Sequence, residues 1–179
     1  INGWHLLTEA SPNALNAIGH LDDWPSGTAV IIEKLDRVSF NKPHGHGIER
    51  NLAETLKALS LHLSMVFHRF INNARVKIHV GPSSLKGWDP FMIEKSTRLP
   101  QEKFSFAGTS ISVIPYILPH HSRITEDEHA YAAGPNGWNE HQGFYIYRNN
   151  RLVLPGTWLN LGIKKDEHCK LARIQVDLP

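Results

Sequence analysis

The sequence predicts an α+β fold, a two-layer sandwich in which helices pack on one mixed β-sheet. One long segment has apolar residues at helical spacing, and several others have the alternation or the β-branched composition of strands. Along the chain the elements run strand, long helix, strand, strand, short helix, hairpin, strand. With 179 residues, of which 41% are hydrophobic, the chain is long enough to bury a core without disulfides or metal.

The N-terminal elements are short. Residues 4–7 predict a strand, and residues 13–21 predict a helix because their apolar residues recur at helical spacing. Residues 28–35 are rich in β-branched side chains and follow Gly27, which predicts a strand. Residues 41–47 contain proline and two glycines and predict an exposed loop.

Residues 48–72 predict a helix of about six turns. Their apolar residues lie three or four positions apart, so they share one face. These residues are Leu52, Leu56, Leu59, Leu63, Val66 or Phe67, and Phe70. We expect this face to be turned toward the core.

The middle of the chain predicts two strands separated by a connection. Residues 76–80 alternate as a strand does, and residues 83–103 predict a long connection with local order. Residues 104–118 predict the second strand, with Ile111, Val113 and Pro115 on one face. Pro115 suggests an edge position or a bulge, because proline cannot donate to a β-ladder.

Residues 125–133 predict a short helix. Thr125 is a candidate N-cap and Glu128 follows three residues later, which is the pattern of a capping box. Gly134 and Pro135 are expected to end this helix.

The C-terminal part predicts a hairpin over residues 143–154 and a closing strand over residues 170–178. Two β-rich arms flank Asn149 and Asn150, and asparagine tolerates the positive φ that a two-residue turn requires.

The composition excludes several classes of protein. Lys and Arg number 19 against 17 Asp and Glu, so the net charge of +2 does not indicate a nucleic-acid or membrane-surface protein. A single cysteine excludes an internal disulfide framework and suits a reducing, cytoplasmic compartment. No apolar run approaches the roughly 20 residues of a membrane span. The 12 histidines predict that charge and stability change between about pH 5 and pH 7.

Common catalytic and metal-binding motifs are missing from the sequence. The histidines do not occur at zinc-site spacings, and Cys169 has no local catalytic signature, so a packing role is favoured for it. There is no phosphate loop of the Walker type and no dinucleotide fingerprint. Because serine, histidine and aspartate are all present, a hydrolase that uses them stays open as the least supported alternative.

The hairpin carries basic and aromatic residues that together are typical of single-strand binding. Arg148 and Arg151 flank its turn, and Tyr145 and Tyr147 lie on its first arm. A nucleic-acid-binding module that uses residues 143–154 is therefore an alternative function, with DNA as a partner. A hairpin whose turn charges are simply solvated stays open as well.

Two stretches resemble parts of the GHKL ATPases, the family of gyrase B, the heat-shock 90-type chaperones, MutL, the microrchidia proteins and the histidine kinases. Residues 26–37 read SGTAVIIEKLDR and resemble the last box of the nucleotide domain, in which a Gly-Thr pair enters the final strand. Residues 143–152 read GFYIYRNNRL and look like the hairpin of the following transducer domain in microrchidia-like and bacterial relatives.

The resemblance implies two domains in a piece of a longer chain. Residues 1–38 would be the C-terminal tail of the ATP-binding domain, and residues 39–179 a transducer of the ribosomal-protein-type second-domain fold. The first residue is Ile rather than Met, which agrees with a piece of a larger protein. The family also needs a helix with a Glu base and a magnesium-holding Asn, and an Asp-x-Gly-x-Gly adenine box. Because no such pair precedes the Gly-Thr box and no such glycine box occurs, we expect the isolated chain to bind no cofactor and to be inactive. ATP and magnesium would belong to the parent ATPase.

The resemblance also implies roles for individual residues and partners. Gly27 and Thr28 would lie near the nucleotide phosphates of the intact protein. Transducers usually send one basic residue to the γ-phosphate, and Lys164 and Lys165 are the candidates, with an ordinary solvated turn as the alternative. The implied partners are the preceding ATP-binding domain and, through dimerisation, a second copy.

Overall fold

The computed structural model describes residues 10–19, 23, 25–32 and 45–179. The chain divides into two compact units, Ile1–Ile48 and Glu49–Pro179. The protein is α+β, with a mixed sheet and a few helices. The domain boundary predicted after residue 38 lies outside the described residues, as does the strand predicted at residues 4–7.

The first unit contains helix α1, Pro12–Ile18. It begins because Ser11 is a good N-cap, whose hydroxyl accepts a hydrogen bond from the Ala14 N–H at 3.1 Å, and because proline suits the first helical position. The helix prediction over residues 13–21 is therefore right in its first part, but the helix ends at Ile18.

The strand predicted over residues 28–35 is wrong for its described part. Residues 27–32 form no regular secondary structure, and the remainder lies outside the described residues. Val30 is 77% exposed and Ile32 71% exposed. β-Propensity selects residues that fit a pleated sheet, but a strand also needs a neighbour for its hydrogen bonds. This segment has no such neighbour among the described residues.

The long helix consists of two pieces, α2 at Gly45–Val66 and α3 at His68–Asn72. Phe67 separates them, with φ −105° and ψ 14°. Because α2 already begins at Gly45, the loop predicted over residues 41–47 is wrong at its end, and its first four residues lie outside the described part.

The apolar face of α2 is covered only near its C-terminal end. Met65 and Val66 are buried, whereas Leu52, Leu56 and Leu59 are exposed. The expectation that the whole stripe faces the core is therefore wrong for its first half. Helical spacing determines which residues share a face, but it does not determine how far the neighbouring element extends.

The described residues form eight strands, six of which make one sheet. Strands β1 (His79–Val80) and β2 (Ser83–Ser84) pair by themselves. The sheet contains β3 (Thr97–Arg98), β4 (Glu102–Phe106), β5 (Thr109–Ile117), β6 (Gly143–Arg148), β7 (Arg151–Thr157) and β8 (Ala172–Leu178). The order is β3-β5-β8-β6-β7, with β4 pairing to β5 beside β3. The closing strand β8 thus lies in the middle, antiparallel to β5 and parallel to β6.

The region predicted as one strand over residues 104–118 is a hairpin of β4 and β5. Ala107 and Gly108 form its turn with φ values of 49° and 77°. The turn escapes prediction because alanine is not a residue that usually adopts positive φ. The strand predicted at residues 76–80 is likewise shorter, since only His79–Val80 pairs.

Pro115 lies inside the sheet rather than at an edge or a bulge. β5 pairs with β8 on one side, and on the other side with β4 up to Val113 and with β3 from Tyr116 onward. The Leu99 N–H donates to the Pro115 carbonyl at 2.9 Å, so the backbone of Pro115 faces this second side. Its missing N–H therefore falls between the two partner strands, where it removes no ladder bond.

The C-terminal predictions are confirmed. Asn149 and Asn150 form the β6–β7 turn with φ values of 50° and 65°. Helix α4, Glu126–Ala133, has the capping box: the Glu128 N–H donates to the Thr125 hydroxyl at 3.2 Å, and the Glu128 carboxylate accepts from the Thr125 N–H at 3.0 Å. A 3₁₀ turn, His121–Arg123, precedes this helix.

The core lies between one face of the sheet and the segments that cross it. It contains Met65 of α2, Trp88 and Phe91 of the connection before β3, Ile114 and Tyr116 of β5, Tyr145 and Tyr147 of β6, and Leu152 of β7. The pairing of β8 puts Arg173 opposite Tyr116 and Gln175 opposite Ile114, on this same face. The apolar residues of β8 (Ile174, Val176 and Leu178) therefore occupy the other face, where they are half-buried.

Gly134, which ends α4, carries a testable prediction. Its φ of 64° and ψ of −173° belong to a region that only glycine adopts readily. A Cβ atom there would overlap the Trp88 indole and lie 2.9 Å from Cδ2 of His141. We expect Gly134→Ala to lower the free energy of unfolding by about 2 kcal/mol or more, through strain and overpacking. Urea denaturation measures it, with the open position Gly137→Ala as a control that has positive φ but no neighbour within 4 Å.

Candidate functional site

The loop of Lys164 and Lys165 is anchored to a buried glutamine. Gln142 is fully buried, and its amide N–H groups donate to the carbonyls of Asn139 at 3.0 Å and Asp166 at 3.2 Å. Its side-chain oxygen accepts from the Trp158 indole N–H at 3.2 Å and from the Asp166 N–H at 3.3 Å. Both backbone groups of Asp166 are thus held by Gln142, which fixes the loop directly after the two lysines.

The two lysines differ in their surroundings. The Lys165 ammonium donates to the Glu140 carboxylate at 2.8 Å and to the Glu140 carbonyl at 3.0 Å. Its hydrogen bond and its charge hold the pKa of Glu140 below the usual value. Lys164 is exposed, and its ammonium makes no hydrogen bond or ion pair with the described part of the chain. The anchored loop therefore presents Lys164 to solvent and retains Lys165.

Gly27 and Thr28 belong to the first compact unit, whereas the two lysines belong to the second. Both residues are exposed and lie in a segment without regular secondary structure. Their predicted role at the nucleotide phosphates stays a prediction.

The hairpin residues separate into an exposed pair and a buried pair. Arg148 and Arg151 are exposed and directly opposite each other at the end of the hairpin. Tyr145 and Tyr147 are 0% exposed. The expectation that the tyrosines assist the arginines in holding single strands is therefore wrong, because a buried ring has no free face for a base. The two tyrosines occupy alternate positions whose side chains point into the core.

Each buried tyrosine is paired with a buried histidine that sequence reasoning missed. The Tyr147 hydroxyl lies 2.9 Å from Nε2 of His68, and the Tyr145 hydroxyl lies 3.0 Å from Nδ1 of His141. Nε2 of His141 donates to the Pro135 carbonyl, so in the neutral ring Nδ1 accepts from the tyrosine. Burial lowers the pKa of both histidines to about 4, and positive charge adds to this, from Arg69 at His68 and from Arg173 at His141.

Arg173 is the second feature that the sequence did not reveal. Its guanidinium is fully buried and donates to three backbone carbonyls, from Nε to His141 at 2.9 Å, from Nη2 to Ala132 at 2.6 Å and from Nη1 to Pro90. Burial lowers its pKa. Because an arginine in a strand usually lies on the solvent side, no local signal marks this one. It ties three loops to the central strand.

The exposed arginines share a groove with aromatic residues of the long helix. The groove has a volume of about 710 Å³ and lies between α2–α3 and the β6–β7 hairpin. Its lining residues are His62, Val66, Phe67, Phe70, Arg148, Asn149, Arg151, Leu152 and Val153. Sequence reasoning did not connect the phenylalanines with the hairpin, since about 80 residues separate them along the chain.

The described residues do not support a metal centre or a Ser–His dyad. No group of three or more His, Cys, Asp or Glu side chains there could hold a metal ion. The Ser122 hydroxyl lies 2.9 Å from Nδ1 of His120, but the same nitrogen accepts from the Ser122 N–H at 3.3 Å. This contact caps the 3₁₀ turn and is exposed, so it does not form a cleft for catalysis. Over the described part of the chain, no helix is both long and apolar enough to cross a membrane.

Comparison with protein-family models, with curated proteins and with solved structures found no match for this chain.

Proposed function

We propose that the second unit is the transducer domain of a GHKL-type ATPase, of the ribosomal-protein-type second-domain fold. It relays the nucleotide state of an ATP-binding domain to partner domains and is not catalytic alone. The observation that carries the proposal is the anchored loop that presents Lys164. A cation held on a fixed loop can stabilise the charge of a transferring phosphoryl group bound by a neighbouring domain.

The arrangement of the loop supports this role in two ways. Gln142 uses its whole hydrogen-bonding capacity on the loop and its surroundings, which fixes the position from which Lys164 projects. Lys165 is bound to Glu140, so the geometry selects Lys164 as the residue that extends outward. The Gly-Thr box lies in the first unit and the hairpin in the second, in the order expected of an ATPase tail followed by a transducer.

A titration with Mg-ATP tests the first half of the proposal. We expect the chain of residues 1–179 to show no tight binding by calorimetry, because it contains neither the Glu–Asn helix nor the adenine box of the family. A micromolar dissociation constant would count against the transducer role. The coding sequence before residue 1 supplies a second check, since it is expected to encode both missing motifs.

The parent ATPase tests the role of Lys164. In the full-length protein, Lys164→Ala is expected to lower kcat for ATP hydrolysis about 100-fold while leaving ATP affinity nearly unchanged, because the cation acts on charge that develops during transfer. Lys170→Ala is the matched control, since it removes an exposed lysine that pairs with Glu167 in the same region. Equal activities of the two variants would contradict the proposal.

A further inference from the structure

We propose that the groove between α2–α3 and the β6–β7 hairpin binds single-stranded nucleic acid, with phosphates on Arg148 and Arg151 and bases against Phe67 and Phe70. This binding activity goes beyond the transducer role and does not depend on it. All the residues of the groove belong to the second unit.

The two arginines are placed in a way that fold stability does not explain. They form a directly opposed cross-strand pair beside the Asn149–Asn150 turn. Like charges opposite each other destabilise a hairpin. Within the described part of the chain, no carboxylate forms an ion pair with either guanidinium. Two uncompensated guanidiniums on one rung instead form a site for an anion, and the planar donors of arginine suit phosphate oxygens.

The opposite wall of the groove supplies aromatic surface. Phe67 and Phe70 are half-buried, with ring centroids 6.3 Å apart and planes inclined at 57°. The Arg151 guanidinium lies 5.4 Å from the centroid of the Phe67 ring. Cation and ring therefore adjoin, so one nucleotide can place its phosphate on the arginine and its base near the phenylalanine. Stacking of this kind accepts any base, because every base has a π-face.

The composition of the groove favours a single strand over a duplex. Two arginines and the exposed His62 supply few phosphate contacts, whereas proteins that bind duplexes through the backbone commonly make about 6–10. In a duplex the base faces are also stacked on one another and cannot reach Phe67 or Phe70. The net charge of +2 adds little long-range attraction, so we expect local, salt-sensitive binding of modest affinity.

Fluorescence anisotropy with labelled oligo-dT and oligo-U of about 15 nucleotides tests the proposal. We expect binding whose log K falls with log salt with a slope of about −1.4, as two phosphate contacts on a single strand predict. Arg148→Ala/Arg151→Ala should remove the binding. The matched control is Arg98→Ala/Lys103→Ala, which removes two exposed positive charges from β3 and β4, at the other edge of the sheet. The DNA and RNA arms show which strand is preferred, and binding to neither overturns the proposal.

A second variant separates bases from phosphates. Phe67→Leu/Phe70→Leu keeps apolar side chains and removes the π-faces, so it should weaken binding about 5-fold or more, with an unchanged salt slope. Thermal denaturation of each variant establishes that it is folded. If the phenylalanine variant binds as the original chain does, or if a polyglutamate peptide competes as well as the oligonucleotide, the groove is an acidic-peptide site and the proposal fails. Neither outcome bears on the transducer role, which the ATP experiments test.

Discussion

Replacing Arg173 by alanine is expected to lower the free energy of unfolding by at least about 3–5 kcal/mol. The change leaves the carbonyls of Pro90, Ala132 and His141 buried without their donor, and it opens a cavity beside Trp88. Domains are commonly stable by only about 5–15 kcal/mol, so the variant will be largely unfolded or close to it. Urea denaturation followed by fluorescence of the five tryptophans measures the loss.

Two further variants keep this prediction testable if the alanine variant does not fold. Arg173→Lys retains the charge but replaces the planar fork by one ammonium, so its stability should fall between those of the original and the alanine variant. Arg123→Ala removes an exposed arginine and should change stability by less than about 0.5 kcal/mol. A lysine variant as stable as the original would show that the three carbonyls do not depend on the guanidinium.

Acidification is expected to destabilise the second unit between about pH 6.5 and pH 4, because His68 and His141 are buried in their neutral form. In the unfolded chain both rings take up a proton near pH 6.5, whereas in the folded chain the pKa of each is about 4. The unfolded state therefore binds more protons throughout this interval, and stability rises with pH. The two contributions are fully present above pH 6.5 and are lost as the pH falls, by up to about 3 kcal/mol for each ring.

Denaturation midpoints measured at several pH values test the effect and its source. His68→Gln should remove about half of the stability change between pH 6.5 and pH 4, whatever it does to stability at neutral pH. His79→Gln, on an exposed strand, is the control. Glu128 and Glu140 have lowered pKa values, so their contributions are lost only at more acidic pH and do not overlap most of this window. A flat stability profile, or an equal effect of the two variants, would contradict the assignment.

The sequence predicted local structure well where the signal was local. The capping box of Thr125 and Glu128 and the Asn149–Asn150 turn are confirmed because a few adjacent residues determine each of them. It failed where structure depends on distant neighbours. The exposed Leu52 and Leu56 have the correct spacing for a core face, but spacing does not say where the sheet ends. The Ala107–Gly108 turn failed for a local reason, since alanine at positive φ carries no signal.

The candidate site was predicted in part. The exposed positions of Arg148 and Arg151 agree with the sequence reasoning, because charged residues beside a turn are solvated. The burial of Tyr145 and Tyr147 and the proximity of Phe67 could not be predicted, since both depend on how the helix crosses the hairpin. The difference between Lys164 and Lys165 likewise depends on Glu140 and Gln142, which lie more than 20 residues earlier.

The inward face of β8 has a consequence for how the chain folds. It carries Arg173, Gln175 and Asp177, each with a specific partner, whereas Ile174, Val176 and Leu178 occupy the outer face. A slip of one residue would turn the three apolar side chains inward, which nonspecific hydrophobic collapse favours. The correct alignment wins only once Pro90, Ala132 and Arg69 are in place, and these lie far from β8 in the sequence. Early collapse and final register are therefore in conflict, and refolding should pass through a misaligned, slowly correcting intermediate.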